Sequence, residues 1–345
     1  MSPKDELRII LPRLMSYVLA AIVIGGVYGH FTTPAASSTD FHGLIRGGVT
    51  GALIGGIIGP LDTFLLQAAG TPLTRVPFLL NVAVRAVVYL GVFLFALVAG
   101  HWLVPDHPKT SVFNFERVDI LFCFVATFLI SFVFEVNRLL GQNVLLAYAT
   151  GRYYRAKVEK RAFLIIDMKN STAAAERLGE VGFHQLLNRL VTDVSGAIVL
   201  RKGEIYKYVG DEVIATWPLA EGVKDAYCVR ACFAAIARLV DRAADYEREF
   251  GRRVEFRAGL HCGPVVVGEM GSEKKEIALS GDTLNTAARI VDACRDTGEQ
   301  VIASAALLDL LALPKDIVAR PLGLVPLRGK EQAVELFALE MATAS

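Results

Sequence analysis

Charge is what the first two-fifths of this sequence has least of. Across residues 9–140 only 13 of 132 side chains are Asp, Glu, Lys or Arg. A soluble domain carries roughly 25%, so an ordinary soluble globule is excluded there. A net sign is missing as well. The 36 Lys and Arg and 35 Asp and Glu leave +1, too little to draw in a nucleic acid or an acidic partner. Cysteine is sparse: five residues, at 123, 228, 232, 262 and 294, with no CxxC pair and no metal-ligand spacing. Neither a disulfide scaffold nor a zinc site is indicated, and Cys228 and Cys232, four apart on an expected helix, read as small core residues. Repeats and low-complexity tracts are absent. Hydrophobic residues at 53% exclude a disordered chain. After residue 140 the charge returns, with 54 charged side chains in 205 positions, which excludes a purely membrane-embedded transporter.

The uncharged part holds four apolar stretches, near Leu11–His30, Gly48–Leu66, Ala86–Val104 and Ile120–Leu140. Each is close to the roughly 20 helical residues that cross a bilayer core. Four spans put both ends on one side. Lys4, Arg8 and Arg13 flank the first, Arg75 and Arg85 lie in or beside the second connection, and Arg138 to Arg161 follow the last, while residues 31–45 carry no Lys or Arg. This predicts a multi-pass protein of the inner membrane, embedded in the lipid bilayer, with the N-terminus and the C-terminal half cytoplasmic. Lys109 and Arg117 in the third connection run against the pattern. A cleaved leader is not expected, although Pro34–Ser38 has small-residue spacing. Gly51–Gly55 and Gly55–Gly59 are small-xxx-small pairs, fitting either a dimer face or packing within the bundle. Asp62, Arg85, Glu135 and Arg138 are expected to snorkel to the interface.

From residue 161 the pattern changes. Arg161–Asp167 reads as a strand ending in a carboxylate, and Gly182–Leu200 as an amphipathic helix. Gly203–Val209 and Glu212–Trp217 read as a hairpin turning at Gly210-Asp211. Val223–Phe250 reads as one long helix. Val254–His261 and Val265–Met270 read as two strands around Gly263-Pro264, then a helix opens at Gly281, and late strands follow. The β-α-β-β-α-β order is ferredoxin-like. The expected domains are residues 1–140 (four-span transmembrane, all-α), 141–160 (juxtamembrane helical linker) and 161–345 (α+β).

If the hairpin pairs with the first strand, Asp167 and Asp211 meet at one edge. Two hard oxygen ligands suit Mg²⁺ or Mn²⁺ bridging phosphate oxygens. The turn Met168–Thr172 offers backbone N–H groups to a triphosphate. Each acid alone is more simply a strand-end or turn residue.

Four strings in order narrow the choice: FLIIDMKNST (163–172), KYVGDEV (207–213), FRAGLHCGPVVVG (256–268) and GDTLNTAAR (281–289). Together they resemble the catalytic domain of class III adenylate and guanylate cyclases, over roughly residues 158–340. The resemblance implies an adenylate cyclase that converts ATP to 3′,5′-cyclic AMP and pyrophosphate with two Mg²⁺ or Mn²⁺ ions per site. Asp167 and Asp211 match its metal ligands, with the backbone of Ile166 beside them. Lys207 matches the adenine reader, while Asn170, Ser171 and Thr172 belong to the turn read above, from its backbone N–H groups, as a place for the phosphates. Asn285 and Arg289 match the pair that orients the ribose and stabilises the reacting phosphate, and Lys330 the lysine on the terminal phosphates. A second purine reader is usually Asp, Thr or Ser, where this chain has Ala278. A guanylate or mixed-specificity cyclase therefore stays open, as does a non-catalytic receptor with a cyclase-like domain. A diguanylate cyclase lacks its Gly-Gly pair, since position 209 is Val. His184 and His261 are minor candidates as bases. In the family the site lies between two catalytic domains, so a homodimer through the catalytic domain and the membrane helices is implied.

Overall fold

The computed structural model describes residues 3–32, 41–62, 76–103, 117–141 and 144–342. The chain divides into two compact units, Met1–Leu139 and Leu140–Ser345. Pro34–Ser38, Arg75 and Lys109 lie outside the described residues.

Among the described residues the first unit has four helices: α1 (Pro3–Thr32), α2 (His42–Pro60), α3 (Phe78–Leu103) and α4 (Arg117–Leu140). Among the described residues, 43–60 and 78–100 are long and apolar enough to cross a membrane, while 17–31 and 124–137 are shorter apolar stretches. α1 and α2 meet backbone to backbone. A Cβ on Gly51 would strike the Ala21 carbonyl, and one on Gly55 would lie 2.8 Å from Val18 Cα. The small residues of α2 are thus used inside the bundle. The ionisable side chains do not snorkel as expected. Arg85 (1% exposed), Asp62 and Glu135 are buried. Arg85 pairs with Asp62, lies 3.9 Å from Glu135, and donates to Asn81 at 2.7 Å; the Tyr89 hydroxyl donates to Asp62 at 2.6 Å. Pairing between α3, α4 and the residue two past the end of α2 replaces hydration, so these groups need not reach water. The side chain of Arg138 lies outside the described set.

The second unit opens with α5 (Val144–Thr150). Then come β1 (Lys157–Met168), α6 (Ser171–Val199), β2 (Glu204–Val209), β3 (Glu212–Pro218), α7 (Leu219–Val223), α8 (Tyr227–Asp241), α9 (Ala243–Phe250) and β4 (Phe256–Met270). β5 (Glu276–Ser280), α10 (Asp282–Thr297), β6 (Val301–Ser304), α11 (Ala305–Leu308), β7 (Ile317–Val325) and β8 (Val334–Met341) follow. The sheet runs β2-β3-β1-β4-β6-β8-β7, with β5 paired to β4. Its first four strands, with α6 and α8 together on one face, form the ferredoxin-like core. One face buries Leu164, Ile166, Leu186, Leu190, Trp217 and Phe256. The other packs Phe163, Ile165, Val265 and Val267 against Ala287 and Val291 of α10.

Three details differ from the sequence reading. β1 begins at Lys157, inside the stretch read as linker. β4 runs unbroken through Pro264, because β6 pairs only with Ala258–Leu260 and β5 only from Val266 onward, so Pro264 falls where that flank has no partner. The long helix is split: Asp225 and Ala226 take left-handed backbone angles (φ 50° and 51°), and Arg242 separates α8 from α9. Cys228, Cys232, Cys262 and Cys294 are free and buried, and burial pushes the Cys228 and Cys294 thiols up to about 12, which keeps them unreactive.

Candidate active site

β1 delivers Asp167 to the sheet's end, and antiparallel pairing with β3 sets it opposite Glu212 on one side and Arg257 on the other. Asp211 precedes Glu212 in the β2–β3 turn, so the two predicted acids are brought together. Asp167 is only 2% exposed. Burial and the charge of Asp211 raise its pKa, opposed by a hydrogen bond from Arg295. Glu212 is pushed up for the same reasons, by burial and then by Asp167, Asp211 and Asp292. The Arg295 guanidinium donates to Asp167 Oδ2 at 2.7 Å. Among the described residues no group of three or more His, Cys, Asp or Glu gathers as a metal site. The Asp167–Asp211 pair fits a hard divalent cation all the same. It supplies only oxygen donors, and crowding among buried carboxylates is relieved by positive charge. The side chain of Ile166 is buried in the core, leaving only its backbone near the acids.

The turn after β1 is sharp. Asn170 adopts a left-handed conformation (φ 56°) at the start of α6. Its carbonyl accepts from Arg252 Nη1 at 3.3 Å and from the Ala174 amide at 3.1 Å. Asn170 and Thr172 are exposed and Ser171 half-buried, so this turn faces solvent beside the acids.

Lys207 projects from β2, and its ammonium donates to Glu276 Oε1 at 2.9 Å while lying 5.3 Å from the centre of the Tyr206 ring. The pair holds both charges: the Lys207 pKa is raised by Glu276, and Glu276 is lowered by Lys207. Ala278, two residues along β5, is buried and offers no polar group.

α10 carries the other predicted residues. Thr283 anchors its first turn to the Pro264 carbonyl at 2.7 Å. Asn285 is exposed and Arg289 half-buried. Lys330 joins them from the loop before β8, its ammonium 2.9 Å from Asp282 Oδ2. The Asp282 pKa is lowered by Lys330 first and by the charge of Arg289 last. His261 Nδ1 lies 2.7 Å from Ser304 Oγ, and burial pushes its pKa down to about 4; His184 is exposed on α6. Arg295 sits ten residues beyond Asn285 on α10, about 15 Å along the helix axis. One end of α10 therefore meets the acid pair, the other carries Asn285 and the Asp282–Lys330 contact, and Arg289 lies at mid-helix.

Sequence reasoning missed three residues: Arg295, Glu276 and Asp282. For Arg295 the only available signal was a basic side chain in the last helical turn, which is also what a helix C-terminus favours by itself. Glu276 lies on the unrecognised β5, and Asp282 looks like a helix-start carboxylate.

Residues 153–341 match the model of the adenylate and guanylate cyclase catalytic domain. Adenylate cyclase 2 of Rhizobium meliloti (strain 1021) is 36% identical over 216 residues, covering 63% of this chain and 60% of that protein. Adenylate cyclase 1 of the same organism is 32% identical over 149 residues, 41% of this chain and 22% of that protein. The chain thus spans 60% or less of the length of these two relatives. A bacterial light-regulated adenylyl cyclase structure has the same fold, with 19% identity and a TM-score of 0.54 over 67% of this chain and 68% of that one.

Proposed function

We propose that this chain, which belongs to the adenylate and guanylate cyclase family, converts ATP to 3′,5′-cyclic AMP and pyrophosphate. The observation that carries the reading is the meeting of Asp167 and Asp211 through β1–β3 pairing. Those two carboxylates, with the Ile166 backbone, would hold Mg²⁺ or Mn²⁺. Bound there, the ions lower the pKa of the ribose 3′-hydroxyl and neutralise the departing pyrophosphate.

The other roles fall to side chains. Lys207 donates to adenine N1, a contact that guanine, protonated at N1, cannot accept. Asn170, Ser171 and Thr172 lie where the phosphate chain would pass. Asn285 orients the ribose, and Arg289 offers a fork of donors to the oxygens of the α-phosphate as charge builds on them. Lys330 grips the terminal phosphates.

These roles divide between two copies of the chain. Asn285 stands about 15 Å along α10 from the residue that meets the acids of its own chain, which supports a two-fold homodimer that completes two equivalent sites. The apolar helices of the first unit anchor the pair in the inner membrane, with the termini and catalytic unit in the cytoplasm.

The test mixes Asp211→Ala chains with Arg289→Ala chains, each inactive alone. Random pairing makes half the dimers mixed, each with one intact site, so roughly a quarter of parental activity returns. Absence of recovery refutes the shared site. Competition between ATP and GTP on the same membranes decides the base preference, which Ala278 leaves to Lys207.

A further inference from the structure

We infer that Arg295 is a tethered counter-ion that competes with the divalent metal for Asp167. The inference rests on the metal-site reading of Asp167 and Asp211 given above. The buried Asp167 carboxylate receives the Arg295 guanidinium at 2.7 Å, so a cation already neutralises the site. This cation differs from a metal in being attached. It belongs to the last turn of α10, and its side chain is 52% exposed. The exposed side chain has room to swing into water, and Asp292 lies 3.6 Å away as an alternative partner.

A guanidinium and a divalent ion cannot share one carboxylate oxygen without strong repulsion. Arg295 holds Oδ2, so a metal taking that oxygen displaces it and a metal on Oδ1 meets its charge at close range; either cost is subtracted from metal affinity. The site is filled by its own chain when metal is scarce and opens as metal rises. The opposite role, a strut that fixes Asp167 for the metal, predicts the reverse sign on removal.

The experiment titrates Mn²⁺ into the full-length protein in detergent without nucleotide. The free ion is followed by electron paramagnetic resonance. Arg295→Gln should bind Mn²⁺ about tenfold more tightly, as expected for losing one half-exposed charge-assisted competitor. Arg295→Lys, which keeps the charge without the fork, should fall between Gln and the parent, and it serves if the Gln variant does not fold. Affinity unchanged or weaker in folded Arg295→Gln, or in Arg295→Lys if that alone folds, overturns the competition. Asp167→Asn is measured beside them. Should it bind Mn²⁺ like the parent, the metal-site reading fails and takes this inference with it. Should it lose Mn²⁺ while Arg295→Gln gains nothing, only the competition fails.

Discussion

Replacing Gly259 with alanine tests whether the seat of α10 governs both stability and chemistry. Gly259 lies in mid-β4, paired with Ile165 of β1 and Ile302 of β6. An added Cβ would stand 2.8 Å from Val291 Cγ2 and 2.9 Å from both the Ala287 carbonyl oxygen and the Val291 amide nitrogen. Comfortable contacts begin near 3.5 Å, so the shortfall is roughly 0.7 Å. Two of the three atoms are helix backbone and cannot rotate away, so α10 has to lift from the sheet. Overpacking of this kind costs about 1–3 kcal/mol, a melting-temperature loss of about 2–12 °C for a unit of this size. The same displacement moves Asn285 and Arg289, and a shift near an ångström is worth up to about 100-fold in rate. The assay is a thermal melt followed by Trp217, which is fully buried, with Trp102 changed to Phe so that one reporter remains. It is run beside kcat for cyclic AMP formation. Gly196→Ala is the control, because a Cβ there meets nothing within 4 Å; in a helix interior it should be neutral or stabilising by about 0.5–1 kcal/mol. Parental melting and kcat in Gly259→Ala would refute the reasoning.

Two further expectations use the same melt. Asp193 is fully buried, accepts from the Tyr246 hydroxyl at 2.9 Å, and meets Arg242 at 3.0 Å and Arg238 at 3.3 Å. Asp193→Ala strands that buried hydroxyl and takes one partner from three partly exposed arginines, counting Arg189 at 3.7 Å, and should cost about 2–3 kcal/mol; a midpoint within 2 °C of the parent, a shift of about 1 kcal/mol or less, removes the network from any account of stability. His261 stays neutral in the fold down to about pH 4, through burial first and then the Lys330 charge, with Asp282 opposing. The unfolded chain takes up the proton near pH 6.5. Stability from this group is therefore intact above pH 7 and declines as pH falls toward 4, by up to about 3 kcal/mol. His261→Gln should flatten that part of the profile, and an unchanged slope assigns it to other groups.

The ferredoxin-like order was readable because its strands are short apolar runs bounded by turn residues. The acid pair was readable because each acid closes or turns a strand. What stayed hidden depends on partners far off in sequence. Pro264 looks like a strand break until the missing neighbour on one flank is known. The 3.6-residue periodicity runs on through Asp225, Ala226 and Arg242, so apolar spacing gives no sign of the interruptions in the backbone. The five residues of β5, preceded by Lys274 and Lys275, are too few to signal a strand. Arg85 and Glu135 sit on α3 and α4 and Asp62 two residues past the end of α2, and no local spacing announces that they will pair. Arg295 is the same case at the site: its partner Asp167 is 128 positions away.

The approach to β1 is tied down before the strand begins. The Tyr153 carbonyl accepts from the Glu269 amide at 2.9 Å, and the Tyr153 hydroxyl donates to Glu159 at 3.0 Å. Arg161 bridges Glu159 and Glu204 at 3.0 and 2.9 Å. From there to Asp167 the strand is laddered to β4 along its whole length and to β3 from Arg161 onward. Such a strand cannot slide without tearing hydrogen bonds on two sides, so a push at its entrance turns the sheet as one plate.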